Sequence, residues 1–148
     1  MSLLTALAIM LSAAQAPAAA APAAPPAASP ATPSPAAASA EQWLGLVDRG
    51  LYADSWDQAG TMLKTQMGKP GWAGAVEPVR RPLGAVVSRK LKSETPTHSL
   101  PGVPDGDYDV IQFETDFAGN HKTTESIFVA HEATGWKVDG YFIKPAAN

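Results

Sequence analysis

The decapeptide Tyr108-Asp-Val-Ile-Gln-Phe-Glu-Thr-Asp-Phe117 decides the fold. In an extended chain Ile111, Phe113 and Phe117 share one side, and Tyr108, Val110, Gln112, Glu114 and Asp116 share the other. An apolar side opposite a polar one predicts a strand half-buried against a core. Residues 86–94, 123–131 and 136–143 show the same period or the same wealth of β-branched and aromatic side chains. The links Pro101-Gly-Val-Pro-Asp-Gly106, Ala118-Gly-Asn120 and Ala133-Thr-Gly135 have turn chemistry and are short, so consecutive strands are expected to pair antiparallel in a meander.

Before Gly84 the period is helical. Ser39 and Gln42 make a capping box that predicts a first helix from Ala40, with Trp43, Leu44 and Val47 on its apolar face and Gly50 as its stop. Tyr52, Trp56, Ala59 and Leu63 recur at helical spacing and predict a second. Trp72, Val76, Val79 and Leu83 predict a third, with Pro70 tolerated in its first turn. Pro78 would delete the bond to the Gly74 carbonyl, so a kink or an early end is expected there. Three helices followed by four strands predict an α+β fold in which the helices cover one face of a curved antiparallel sheet.

Further out, residues 3–14 form an uncharged apolar run, and Ala14-Gln15-Ala16 is a small-x-small cleavage site. This pattern predicts a signal peptide over residues 1–16 and a periplasmic or secreted protein. The run is too short to span a bilayer, so no membrane span is expected in the mature form. Residues 17–38 contain only Ala, Pro, Ser and Thr and are expected to be a disordered linker, because seven prolines remove amide donors and alanine supplies little apolar area. The single domain is expected over residues 39–148. The chain has 148 residues, a net charge of −3 and no cysteine. Disulfides, thiolate metal sites and cysteine nucleophiles are excluded, and nothing in the charge calls for a nucleic-acid partner.

The strings Ser88-Arg-Lys-Leu-Lys-Ser93, Ser99-Leu-Pro-Gly-Val-Pro-Asp-Gly-Asp-Tyr108, Val110-Ile-Gln-Phe-Glu-Thr115 and Gly135-Trp-Lys-Val-Asp-Gly-Tyr-Phe-Ile-Lys144 resemble the bacterial family known as domain of unknown function 4019. Glu41-Gln-Trp-Leu44 and Ser55-Trp56 are similar as well. The resemblance covers residues 40–144 and implies a small exported domain with no assigned reaction. More distantly, the layout resembles the nuclear transport factor 2-like and cystatin-like folds, an analogy of architecture alone.

Motifs for chemistry are sparse. Asp105, Asp107, Asp109 and Asp116 imitate the spacing of a calcium loop, but Val110 stands where that loop needs glycine and the run continues directly into a strand. They read as an acidic hairpin mouth. His98, His121 and His131 lack the paired spacing of a metal site. Arg80, Arg81, Arg89, Lys90 and Lys92 form a basic stretch without interleaved aromatics and read as a solvated face. No nucleotide loop or other cofactor motif is present, and no cofactor is expected.

Four Trp, three Tyr and four Phe all follow residue 40, more rings than the helix stripes need. Such a surplus suits a recognition surface. The expectation is a non-catalytic binding domain that takes a small molecule or a protein partner, with homodimerisation as a further form. Its ligand would sit in the concavity between helices and sheet or on an exposed sheet face, near Tyr52, Trp56, Glu125, His131 and Tyr141. The alternative is an isomerase-like or dehydratase-like enzyme, with Glu125 or His131 as the acid–base group opposite a Tyr52 or Tyr141 hydroxyl. Either Glu125 or His131 pointing into an enclosed apolar pocket that faces a tyrosine hydroxyl would favour the enzyme, and exposure of both to solvent would remove it.

Overall fold

Pro35 opens the first helix, α1 (Pro35–Asp48), five residues earlier than the capping box at Ser39 suggests. A computed structural model describes residues 32–119 and 121–146. The expected signal peptide and residues 17–31 of the expected linker lie outside them. Ser34 is the actual N-cap, its hydroxyl accepting the Ala37 amide at 3.0 Å, and a proline at the first helical position has its backbone angle already set. Ala36, Ala37 and Ala40 are buried against the sheet. Their small side chains let the helix approach closely, so residues 35–38, expected as part of a disordered linker, are instead helical and packed. The Ser39 hydroxyl caps nothing and instead donates to the Trp136 carbonyl at 2.7 Å.

Among the described residues the α-helices number four rather than three, because the expected second helix is broken in two: α2 (Tyr52–Gln58) and α3 (Thr61–Gln66). Gly60 between them is extended and donates its amide to the Val138 carbonyl at 2.8 Å. That bond takes the chain out of helix while Ala59 and Leu63 still reach the core. α4 (Lys69–Arg80) runs through Pro78 and ends two residues later in a 3-10 turn, Arg81–Leu83. Gly74, whose carbonyl loses its partner, is exposed to water, where an unpaired acceptor costs little. Val79, expected in the core, is exposed, and Arg80 takes the inward position one turn after Val76.

The strands are β1 (Val86–Thr97), β2 (Tyr108–Phe117), β3 (His121–Glu132) and β4 (Gly135–Pro145), in the order β1-β2-β3-β4 with every pair antiparallel. Register shifts in β1, at Val86/Ser88 and Leu91/Ser93, and between β3 and β4, at Phe128/Val129, add local bend and twist. Ile111, Phe113, Ile127, Val129 and Val138 face Trp43, Leu44, Val47, Trp72 and Val76 across the core. The alternation in β2 therefore holds, and Asp109 and Thr115 share the buried side with Ile111. No described helix is long and apolar enough to cross a membrane.

Candidate functional site

Two places combine chemistry-bearing side chains. The first is a buried charge network. Glu125 projects from β3 on the core side and is fully buried. Its Oε1 accepts from Arg80 Nη1 at 3.0 Å and from the Tyr141 hydroxyl at 2.6 Å. Its Oε2 accepts from Arg89 Nε at 2.8 Å and from the Thr115 hydroxyl at 2.5 Å. Asp48, the last residue of α1, closes the circuit by pairing with Arg80 and, at 2.7 Å and 3.0 Å, with Arg89. Two cations balance two anions, and the Arg80 guanidinium also lies 4.6 Å from the Phe117 ring centroid. Charges removed from water persist only when paired and hydrogen-bonded, and both carboxylate oxygens of Glu125 are so occupied. Burial alone would depress the Arg89 pKa, but the hydrogen bonds and charges of Asp48 and Glu125 outweigh it and hold the guanidinium firmly protonated. Burial, then the adjacent Glu125, pushes the Tyr141 hydroxyl up, so it stays a donor. Arg80 and Arg89 therefore leave the solvated basic face expected from the sequence.

The second place is a groove. The loop between β1 and β2 is folded over by three bonds: the Gly106 amide to the His98 carbonyl at 3.0 Å, the His131 amide to the Asp107 carbonyl at 2.9 Å, and the Tyr108 hydroxyl to the Pro104 carbonyl at 2.6 Å. α3 is fastened opposite by carboxylates of the sheet, where Glu132 accepts the Thr61 amide at 2.7 Å and Asp139 accepts those of Met62 and Leu63 at 3.0 and 3.3 Å. Burial raises the Asp139 pKa, Glu132 adds to the rise, and the two amides work against it. Between loop, helices and β4 lies an open cleft of about 490 Å³ walled by Met62, Met67, Trp72, Val103, Phe128 and Phe142. Hydrogen bonds set two of these walls: Trp72 Nε1 donates to the Ser55 hydroxyl at 3.0 Å, and Trp56 Nε1 donates to the Met67 carbonyl at 2.8 Å. Phe128 and Phe142 meet edge to face at 5.6 Å. A second hollow of about 630 Å³ continues from the cleft, sharing Met62, Gln66, Val103, Tyr108 and Asp139 with it.

A family model described as "Protein of unknown function (DUF4019)" matches residues 39–141. The chain belongs to this family. Among curated proteins none matches it significantly.

In this DUF4019 domain the five residues singled out from sequence do not converge. Tyr141 lines the apolar cleft while its hydroxyl serves Glu125. Glu125 lines none of the five hollows described and sits among guanidinium groups rather than in an apolar pocket. His131 runs past the end of the core, is exposed, and stacks edge-on against Trp136 at 5.1 Å. Tyr52 borders a polar groove with Asp48, Arg49 and Glu77. Trp56 lies beneath the ammonium groups of Lys64 and Lys69, 5.5 and 5.4 Å from its centroid.

Asp109 also departs from expectation. It is not part of a solvated hairpin mouth but only 3% exposed, accepting the Thr95 amide at 3.0 Å. Burial, with Glu94 beside it, pushes its pKa up to about 6. The cleft residues Met62, Met67 and Asp139 escaped the sequence reading. The available signal was Gly60, a glycine inside the run of helical spacing from Tyr52 to Leu63, where a helix can stop.

Proposed function

We propose that this is an exported, non-catalytic binding domain that takes a small apolar ligand in the cleft between α3, α4 and the β3–β4 hairpin. The observation that carries the reading is the cleft, whose aromatic and thioether walls match the lining of small-molecule sites. Methionine adapts its shape to a ligand, and Met62 and Met67 supply that adaptability here. The acid–base alternative lacks the geometry it needs, because Glu125 spends both oxygens on four donors and His131 is exposed against the Trp136 ring rather than opposite a tyrosine hydroxyl. Export rests on the apolar run 3–14 and the Ala14-Gln15-Ala16 site. The frame we propose is the nuclear transport factor 2-like one, helices laid over a bent meander.

The test is a thermal-shift screen of the whole chain against metabolites and cell-envelope fragments. A ligand at a hundred times its Kd should add about 2.7 kcal/mol of stability. The gain should disappear in Phe142→Asp, a substitution at a side chain that is 64% exposed, with a melting curve of the unliganded variant verifying that it folds. Hits that stabilise Phe142→Asp equally, or no hit at all, would overturn the reading.

A further inference from the structure

The groove has two chemically different halves. One half is the apolar cleft of Met62, Met67, Trp72, Phe128 and Phe142. The adjoining hollow is bordered by four carboxylates, Asp105, Asp107, Glu132 and Asp139. Among the described residues neither half is lined by a lysine or an arginine. The carboxylates hold back part of their capacity for bonding. Asp139 and Glu132 each use one oxygen on α3 amides, Asp107 uses one on His98 Nδ1 at 2.9 Å, and Asp105 has no partner among the described residues. Tyr108 stands where the halves meet, and a phenol ring attracts a cation that lies over its face.

Resting on the proposal that the cleft binds a ligand, we infer that the ligand is a small amphiphilic cation: an aliphatic or aromatic body in the Met62–Phe142 half, joined to an amine or quaternary ammonium that lies among Asp105, Asp107, Glu132 and Asp139. Charge complementarity selects this class. An anionic head in the same hollow would meet four carboxylates and no cation other than a protonated histidine. A neutral head would leave the carboxylates' water in place without gain, whereas an ammonium is attracted to each of them. The body is held by the hydrophobic effect, so affinity should rise about three- to fourfold per methylene until the cleft is filled.

The test titrates the 148-residue chain with octyltrimethylammonium, octyl glucoside and octyl sulfate, each below its micelle-forming concentration, by calorimetry, with Met62 and Met67 methyl shifts locating the bound chain. The expected result is binding of the ammonium at least tenfold tighter than the glucoside, with sulfate weakest. Asp105→Asn with Asp107→Asn should bring the ammonium close to the glucoside and leave the glucoside unchanged. Both residues are exposed loop side chains, and a melting curve verifies that the variant folds. Equal affinities for all three probes, with methyl shifts in the cleft, would overturn the cation preference and leave the binding-domain reading standing. Sulfate binding tightest would do the same. Ammonium binding that leaves both methionine methyls unmoved would overturn the inference, and failure of all three probes to bind would overturn the cleft itself.

Discussion

Replacing Glu125 by glutamine tests whether the buried charge circuit holds the layers together. The side chain keeps its shape and one acceptor oxygen but loses its charge. Arg80, on α4 and 5% exposed, would then retain Asp48 as its single anionic partner, and Arg89 likewise. Removing one member of a buried ion pair costs about 3–5 kcal/mol, because the remaining charge stays out of water uncompensated. The retained amide oxygen places Glu125→Gln near the lower end. Total stability of a domain this size is about 5–15 kcal/mol, and each kcal/mol moves the Tm by about 4 °C or more. A fall of about 10–15 °C is therefore expected in a circular-dichroism melt of the whole chain, with a matching drop in the urea midpoint. Glu125→Leu combined with Arg80→Met should recover part of the loss seen in Glu125→Leu alone, since a pair replaced by apolar groups of similar volume leaves less charge stranded. A Glu125→Gln melt within 2 °C of the parent would refute the reasoning, as would strictly additive single and double substitutions.

Two further outcomes follow from the same physics. Asp109 carries a pKa of about 6 in the fold against an ordinary value of 3.8, so the folded chain binds the proton more tightly; its contribution is complete below about pH 4 and is lost as pH rises through 6. Asp109→Asn should thus be more stable than the parent at pH 7.5 by about 3 kcal/mol and nearly equal to it at pH 4, measured by urea unfolding at both; a difference that does not change with pH would contradict this. At Gly60 a Cβ would run into the Asp139 carboxylate and lie 2.9 Å from Glu132 Oε1. Gly60→Ala should cost about 1–3 kcal/mol and speed hydrogen exchange at the Met62 and Leu63 amides, and unchanged exchange would count against the role given to the two carboxylates.

The parts of the fold legible in the sequence were those encoded by local period. Ile111, Phe113 and Phe117 alternate and are buried, and the four strands fall where period-two runs predicted them. Features set by distant partners were hidden. The break at Gly60 depends on Val138, 78 residues away in the chain. Ser39 looked like a cap, yet its partner is Trp136. Alternation placed Glu125 on the side of Ile127 and Val129, so its burial was readable, but its guanidinium partners were not. Arg80 and Arg89 sit within a run of basic residues that looks solvated as a string, while helix and strand geometry turns these two inward and leaves Arg81 and Lys90 outside. The groove was the least legible element, because its walls come from a short helix, a folded loop and a hairpin that only the assembled sheet brings together.

The start of α1 has a mechanical consequence. Ser34 accepts the Ala37 amide and also donates to Glu94 on β1, so the helix is riveted to the sheet at its first turn. Tension arriving through the backbone at Thr32 would load that rivet and the alanine seam of residues 36–40 before any strand is strained, and the domain would yield by peeling α1 from its leading end while the meander stays zipped.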